Sequence, residues 1–197
     1  LTYDKIIKNA SREIMIIDHN EIQEYLKNDF TKTKYKIDEI KKKYEDDKRL
    51  NNITKKKLEG WYNYLAEIVL FLFNNKNHNL YSINEPKMNQ LGEKKEETSI
   101  IEFIKIRSGV CRHRSIFFKY LCDYVGLKCR LIRGYYSKNS KDKESKEGGH
   151  AWNIIEIYGE KFIIDIMNPN WDLKGLKKFK KRNNLYNYHV PELITNT

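Results

Sequence analysis

The fold is decided by a segment that reads Gly109-Val110-Cys111-Arg112-His113-Arg114-Ser115. After it, apolar side chains recur at intervals of three and four residues, which is the period of one helical face. Gly126 then follows, and glycine is common just beyond the end of a helix. The pattern predicts a helix from Cys111 to about Val125, with the thiol of Cys111 in its first turn.

A cysteine in this position can act as a nucleophile only if a base is near. The thiolate is the nucleophile, and the positive end of a helix favours it. Two later segments carry suitable partners: Gly149-His150-Ala151-Trp152-Asn153 and Phe162-Ile163-Ile164-Asp165. An imidazole can take the thiol proton, and a carboxylate can fix the tautomer of the imidazole.

These two segments are predicted to form a β-hairpin, with strands over 150–157 and 161–166 joined by Tyr158-Gly159. If the loop has two residues, Trp152 faces Asp165, and His150 lies on the same side of the sheet as both. His150 and Asp165 then become diagonal neighbours within hydrogen-bonding reach. A loop of three residues without a bulge would place them on opposite faces.

The residues before this region are predicted to be mostly helical. The clearest helix spans 54–74, weaker ones lie around 21–27 and 37–48, and Ser99 with Glu102 forms a capping-box pattern for a short helix. A further strand is expected over 128–136. The polar stretches 74–97 and 138–149 are expected to be a connection and a flexible loop, and the basic tail after Asn168 is expected to be irregular.

The 197 residues, with 40% hydrophobic and 33% charged side chains, suit one domain of ordinary size. We expect a helical N-terminal region over 1–98, a core over 99–170 and a basic tail over 171–197. No apolar stretch approaches bilayer length and no signal peptide is visible. The chain lacks an initial Met, which suggests a domain of a longer protein. Three cysteines without framework spacing favour a reducing, cytoplasmic location.

The net charge of +11 comes mainly from lysine. It is compatible with an acidic protein partner or, less readily, with nucleic acid. A lysine-rich solvated surface explains it more simply, because acidic residues are interleaved with the basic ones.

At the three quoted segments the chain resembles the transglutaminase-like cysteine peptidase superfamily. It is most similar to the peptidase-like domain of plant ethylene-response and disease-resistance kinases and armadillo-repeat proteins. The resemblance covers about Ile100 to Pro169, since the Gly-x-Cys, His-Ala-Trp-Asn and Asp motifs agree in order and spacing. It implies an α+β fold with a papain-like or transglutaminase-like core, in which the cysteine helix packs on a small antiparallel sheet.

The resemblance also implies residue roles, with Cys111 as the nucleophile, His150 as its base and Asp165 as the residue that orients the base. Two alternatives stay open for Arg112, His113 and Arg114, which could form an anion pocket for substrate or structural ion pairs. Trp152 is expected beside the site, as a packing wall or a substrate platform. No cofactor is expected, and no metal, because the Cys and His residues lack zinc-site spacing.

The expected function is therefore that of a cysteine hydrolase or acyltransferase that acts on a peptide or side-chain amide. The residues do not distinguish a protease, a deamidase and a transglutaminase. The alternative is a catalytically silent interaction module of the same fold that binds an acidic partner.

Overall fold

The computed structural model describes residues 14–74, 97–136, 149–167 and 188–189. The predicted connection over 74–97 and the predicted loop over 138–149 lie outside them except for residues 74, 97 and 149. The described helices are α1 (His19–Asp29), α2 (Thr31–Arg49), α3 (Lys55–Phe73), α4 (Ile100–Lys105) and α5 (Cys111–Val125). The strands are β1 (Ile14–Ile16), β2 (Glu97–Ser99), β3 (Cys129–Tyr136), β4 (Gly149–Ile157), β5 (Glu160–Ile164) and β6 (Tyr188–His189). The chain is thus a mixed α and β protein, as predicted.

Two of the described N-terminal helices, α1 and α3, begin where a polar side chain satisfies one of their first amide groups. Asp18 accepts a hydrogen bond from the N–H of Glu21 at 2.8 Å, and Thr54 accepts one from the N–H of Lys57 at 3.2 Å. Ser99 caps α4 as predicted, by accepting from the N–H of Ile101 at 3.2 Å. No helix in the part of the chain that the structure describes is long and apolar enough to cross a membrane.

Helix α5 ends as its sequence predicts. Gly126 has a φ of 96°, and the N–H groups of Gly126 and Leu127 both donate to the carbonyl of Cys122, at 2.9 and 2.8 Å. This left-handed ending is favourable for glycine because a side chain would be strained there. The helix therefore has the predicted bounds, with Cys111 as its first residue.

The main sheet has four strands in the order β5-β4-β3-β6, and all neighbours are antiparallel. The β4–β5 hairpin has the predicted register, because Ile157 pairs with Glu160 across a two-residue turn. Tyr158 and Gly159 both have positive φ, 51° and 76°, the conformation of a type I′ turn. Tyr158 also connects the turn to the segment before α3, because its hydroxyl donates to the carbonyl of Ile53 at 2.6 Å.

Two pairings were not predicted. β1 and β2 form a parallel two-stranded ladder, although they lie far apart in the chain. The C-terminal tail, predicted to be irregular, returns to the sheet as β6, which pairs with Tyr135 and Tyr136 of β3. Both ladders are too short to show a period of two, so no local pattern could indicate them.

The core occupies the face of the sheet that α5 covers. It includes apolar side chains of α3, α4 and α5 together with Ile155 and Ile157 of β4. The opposite face of the sheet carries a smaller buried cluster of Ile132, Trp152 and Ile163. The cysteine helix is therefore packed against one face of the hairpin strands, as expected.

Candidate active site

The position of Cys111 depends on the glycine two residues before it. A Cβ atom built on Gly109 would lie 2.5 Å from Cδ1 of Phe73, far inside van der Waals contact. Phe73 is completely buried at the end of α3. Only glycine lets the chain pass this ring and place Cys111, which is half-buried, at the start of α5.

Buried side chains of α5 hold the same turn from inside. Arg114 donates from Nε to the carbonyl of Gly109 at 2.8 Å and from Nη2 to Oδ1 of Asn74 at 3.1 Å. His113 accepts from the N–H of Val110 through Nδ1 at 3.0 Å, and its ring stacks on a neighbouring phenylalanine of α4. These contacts connect the turn before Cys111 with the end of α3.

The burial of these residues decides between the two alternatives for the basic segment. His113 and Arg114 are both 0% exposed, so neither side chain presents a surface to a ligand. We therefore assign both to a structural role in place of the predicted substrate contact. Arg112 is half-buried and keeps an accessible part of its side chain.

Asp165 follows directly after β5 and is completely buried. Its Oδ2 lies 2.6 Å from Nε2 of His150, and its Oδ1 accepts from the N–H of Met167 at 3.1 Å. Both carboxylate oxygens are thus hydrogen-bonded, which fixes the orientation of the group. The predicted diagonal contact between His150 and Asp165 is present because the hairpin has the predicted register.

The thiol of Cys111 and the ring of His150 lie close enough for each to shift the pKa of the other. Because Nε2 of His150 contacts Asp165, Nδ1 is the ring nitrogen left for the sulfur. The backbone N–H of Ala151 also lies near the sulfur and lowers the pKa of the thiol. The thiol, the imidazole and the carboxylate therefore meet at one place.

The pKa values of Cys111 and His150 depend on each other. Burial of Cys111 raises the pKa of its thiol, but the hydrogen bond with His150, the charge of His150 and the N–H of Ala151 outweigh it, so the pKa is lowered. Burial lowers the pKa of His150, but hydrogen bonds with Asp165 and Cys111 outweigh it and raise the pKa to about 10. Both shifts favour a thiolate beside an imidazolium.

Trp152 packs beside this group. Its ring stacks on that of His150, with centroids 5.9 Å apart and planes inclined by 24°, and the residue is 1% exposed. This burial fits the packing wall of the two predicted alternatives, and we assign Trp152 to that role instead of substrate binding.

Asn153 makes a contact that the sequence did not indicate. It is completely buried and donates from Nδ2 to the carbonyl of Ser115 at 3.0 Å, which ties β4 to α5. The sequence feature that could have identified Asn153 is its place in the quoted His-Ala-Trp-Asn segment. Cys122 and Cys129 are buried in the core, and burial raises the pKa of the Cys122 thiol.

The described arrangement can support nucleophilic chemistry. It combines a half-buried sulfur with a lowered pKa, a proton acceptor near it and a carboxylate that orients the acceptor. The N–H of Cys111 has no acceptor within α5, because the helix begins there. It can therefore donate to an oxygen that develops negative charge beside the sulfur.

Comparisons with known proteins agree with the resemblance seen in the sequence. The family described as EDR1/CTR1/ARMC3, peptidase-like, matches residues 9–170. The probable serine/threonine-protein kinase SIS8 of Arabidopsis thaliana is 38% identical over 60 residues, which are 30% of this chain and 5% of the kinase. Armadillo repeat-containing protein 3 of Homo sapiens is 27% identical over 100 residues, which are 44% of this chain and 10% of that protein. The chain thus corresponds to a small part of each relative.

Proposed function

The chain belongs to the EDR1/CTR1/ARMC3 peptidase-like family, and from this membership and its site geometry we propose that it is a cysteine-dependent acyl-transfer enzyme with a transglutaminase-like core. Cys111 is the nucleophile, His150 the general acid and base, and Asp165 the residue that orients His150. The observation that carries the proposal is the convergence of the three groups: His150 bonds to Asp165 at 2.6 Å, and the ring of His150 lowers the pKa of the Cys111 thiol.

The first half of the reaction forms a thioester. The thiolate of Cys111 attacks the carbonyl carbon of an amide, and the oxygen gains a negative charge that the N–H of Cys111 stabilises. When the carbon–nitrogen bond breaks, the imidazolium of His150 donates its proton from Nδ1 to the leaving amine. Asp165 stabilises the imidazolium until that proton has left.

The second half releases the enzyme. The neutral imidazole of His150 takes a proton from water or from a second amine, which attacks the thioester carbon. The carbon–sulfur bond breaks and Cys111 leaves as a thiolate. With water the product is a carboxylic acid, and with an amine it is a new amide.

The proposal also implies a class of substrate, a place in a longer protein and a cellular compartment. The substrate is a peptide or protein amide, and the domain acts as one part of a longer protein, with residues 99–170 as its catalytic core. The three cysteines are free thiols. Cys111 needs a reducing compartment such as the cytoplasm to stay a free thiol.

The rate at which Cys111 reacts with iodoacetamide at pH 7 tests the proposal. An ordinary thiol is about 3% ionised at this pH, so we expect Cys111 to react about tenfold faster or more. His150→Ala should remove the acceleration. Mass spectrometry would locate the label, and the buried Cys122 and Cys129 provide unreactive controls in the same chain.

Turnover would be sought in parallel with a peptide library, by cleavage, by deamidation and by incorporation of an amine. Turnover that Cys111→Ala abolishes would support the proposal. If Cys111 reacted no faster than a free thiol and His150→Ala changed nothing, the enzyme proposal would fail, and a non-enzymatic module that binds an acidic partner would replace it.

A further inference from the structure

One residue of β3 lies opposite the part of β4 that approaches Cys111. In the register of β3 and β4, Arg133 is opposite Ala151, whose backbone N–H lies near the sulfur of Cys111. Side chains of opposed residues in antiparallel strands share one face, with Cα atoms about 4.5–5.5 Å apart. Arg133 therefore projects from the β3 position nearest to Ala151.

The register also shows which face this is. Asn153 occupies the same face as Ala151, since alternate residues of a strand point to the same side, and Asn153 contacts α5 through Ser115. Arg133 thus lies on the side of the sheet that carries the cysteine helix. Arg130 lies on the other side, because it pairs with Ile154.

This part of the face is open to a ligand. Arg133 is exposed, and Leu131, two residues before it and on the same face, is 38% exposed. The described positions of β3 and β4 on this face hold no carboxylate, and the first turn of α5 contains no acidic residue. The surface next to Cys111 therefore combines a positive charge with an apolar side chain.

We propose that this surface selects acyl donors with an acidic residue near the attacked amide, and that Arg133 binds the carboxylate while Leu131 packs against an adjacent apolar side chain. This inference rests on the proposed function, because it makes the thiol of Cys111 the group that the substrate approaches. It assigns a substrate class, peptides that carry Asp or Glu, to a site whose chemistry alone specifies only an amide.

The test compares two probes of Cys111, anionic iodoacetate and neutral iodoacetamide. In both reactions a sulfur–carbon bond forms as a carbon–iodine bond breaks and iodide leaves. The ratio of the two rates therefore cancels any change in the thiolate fraction and reports the charge that the probe meets. Arg133→Gln should lower the ratio of iodoacetate to iodoacetamide rates by about two- to threefold at low ionic strength, the order of effect that one unit charge has within about 10 Å in water.

Arg130→Gln is the matched control, since it removes the same charge from an exposed position of the same strand on the opposite face. A ratio that falls in Arg133→Gln and changes little in Arg130→Gln supports the inference. An unchanged ratio in Arg133→Gln, or an equal fall in both variants, overturns it. The inference can fail in this way while Cys111 keeps its accelerated labelling, so its failure is distinguishable from that of the proposed function.

Discussion

Replacement of Gly109 by alanine should damage both the stability of the protein and the reactivity of Cys111. The new Cβ would lie 2.5 Å from Cδ1 and 2.9 Å from Cε1 of Phe73. A normal carbon–carbon contact is about 3.5–4.0 Å, so the ring or the turn must move by about 1 Å. Phe73 cannot move freely, because it is 0% exposed and packs edge-on against Phe117 with ring centroids 5.7 Å apart.

The magnitude follows from this overpacking, which typically costs about 1–3 kcal/mol in a well-packed core. We expect Gly109→Ala to lower the free energy of unfolding by about 2 kcal/mol, or Tm by about 4–8 °C for a chain of this size. If the turn moves, it also weakens the bond from Arg114 to the carbonyl of Gly109. Cys111 then shifts relative to His150, and its labelling rate should approach that of an ordinary thiol.

Thermal or urea unfolding and iodoacetamide labelling would measure the two effects on the same samples. Gly149→Ala and Gly60→Ala are controls, since a Cβ at either position has nothing within 4 Å. Gly60→Ala, in the middle of α3, should stabilise the protein by about 0.5–1 kcal/mol. If Gly109→Ala unfolded like the wild type and its Cys111 reacted at the wild-type rate, the steric reasoning would be refuted.

Three further predictions concern single groups. Asp165→Asn should slow labelling of Cys111 at pH 7 by about tenfold. The amide would donate to Nε2 of His150 and place the ring proton on Nδ1, towards the sulfur. An unchanged rate would exclude Asp165 from orienting the ring. The pKa of His150 is raised to about 10, so the stability it contributes is fully present below about pH 6.5 and is lost as the pH rises through 10. Urea unfolding across this pH range should show that the free energy of unfolding falls in the wild type and not in His150→Gln. If the free energy changed with pH in the same way in both proteins, the prediction would be contradicted. Gly126→Ala should cost about 1–2 kcal/mol in the same assay, because an L residue is strained at a φ of 96°, and a cost near zero would mean that the helix end rearranges.

The sequence determined the parts of the site that depend on local periods. The bounds of α5 followed from apolar spacing and a terminal glycine, and the structure has the same bounds. The hairpin register followed from a two-residue turn, and it placed His150 and Asp165 on one face across 15 residues of chain. Side chains alternate strictly along a strand, so a correct turn length was sufficient for this inference.

Other features could be decided only when distant segments met. The sequence left the role of the basic residues after Cys111 open, and tertiary packing buried His113 and Arg114 completely. Arg114 finds one partner in Asn74, 40 residues earlier in the chain, and β1 pairs with β2 across an even longer separation.

The requirement for glycine at position 109 has the same origin, because it comes from a phenylalanine of another helix. Local propensity fixes where a helix or a turn begins and ends, and it could therefore be read from the residues themselves. Burial and contact between elements depend on how those elements pack, so only the tertiary structure decided which side chains support Cys111 and which remain open to a ligand.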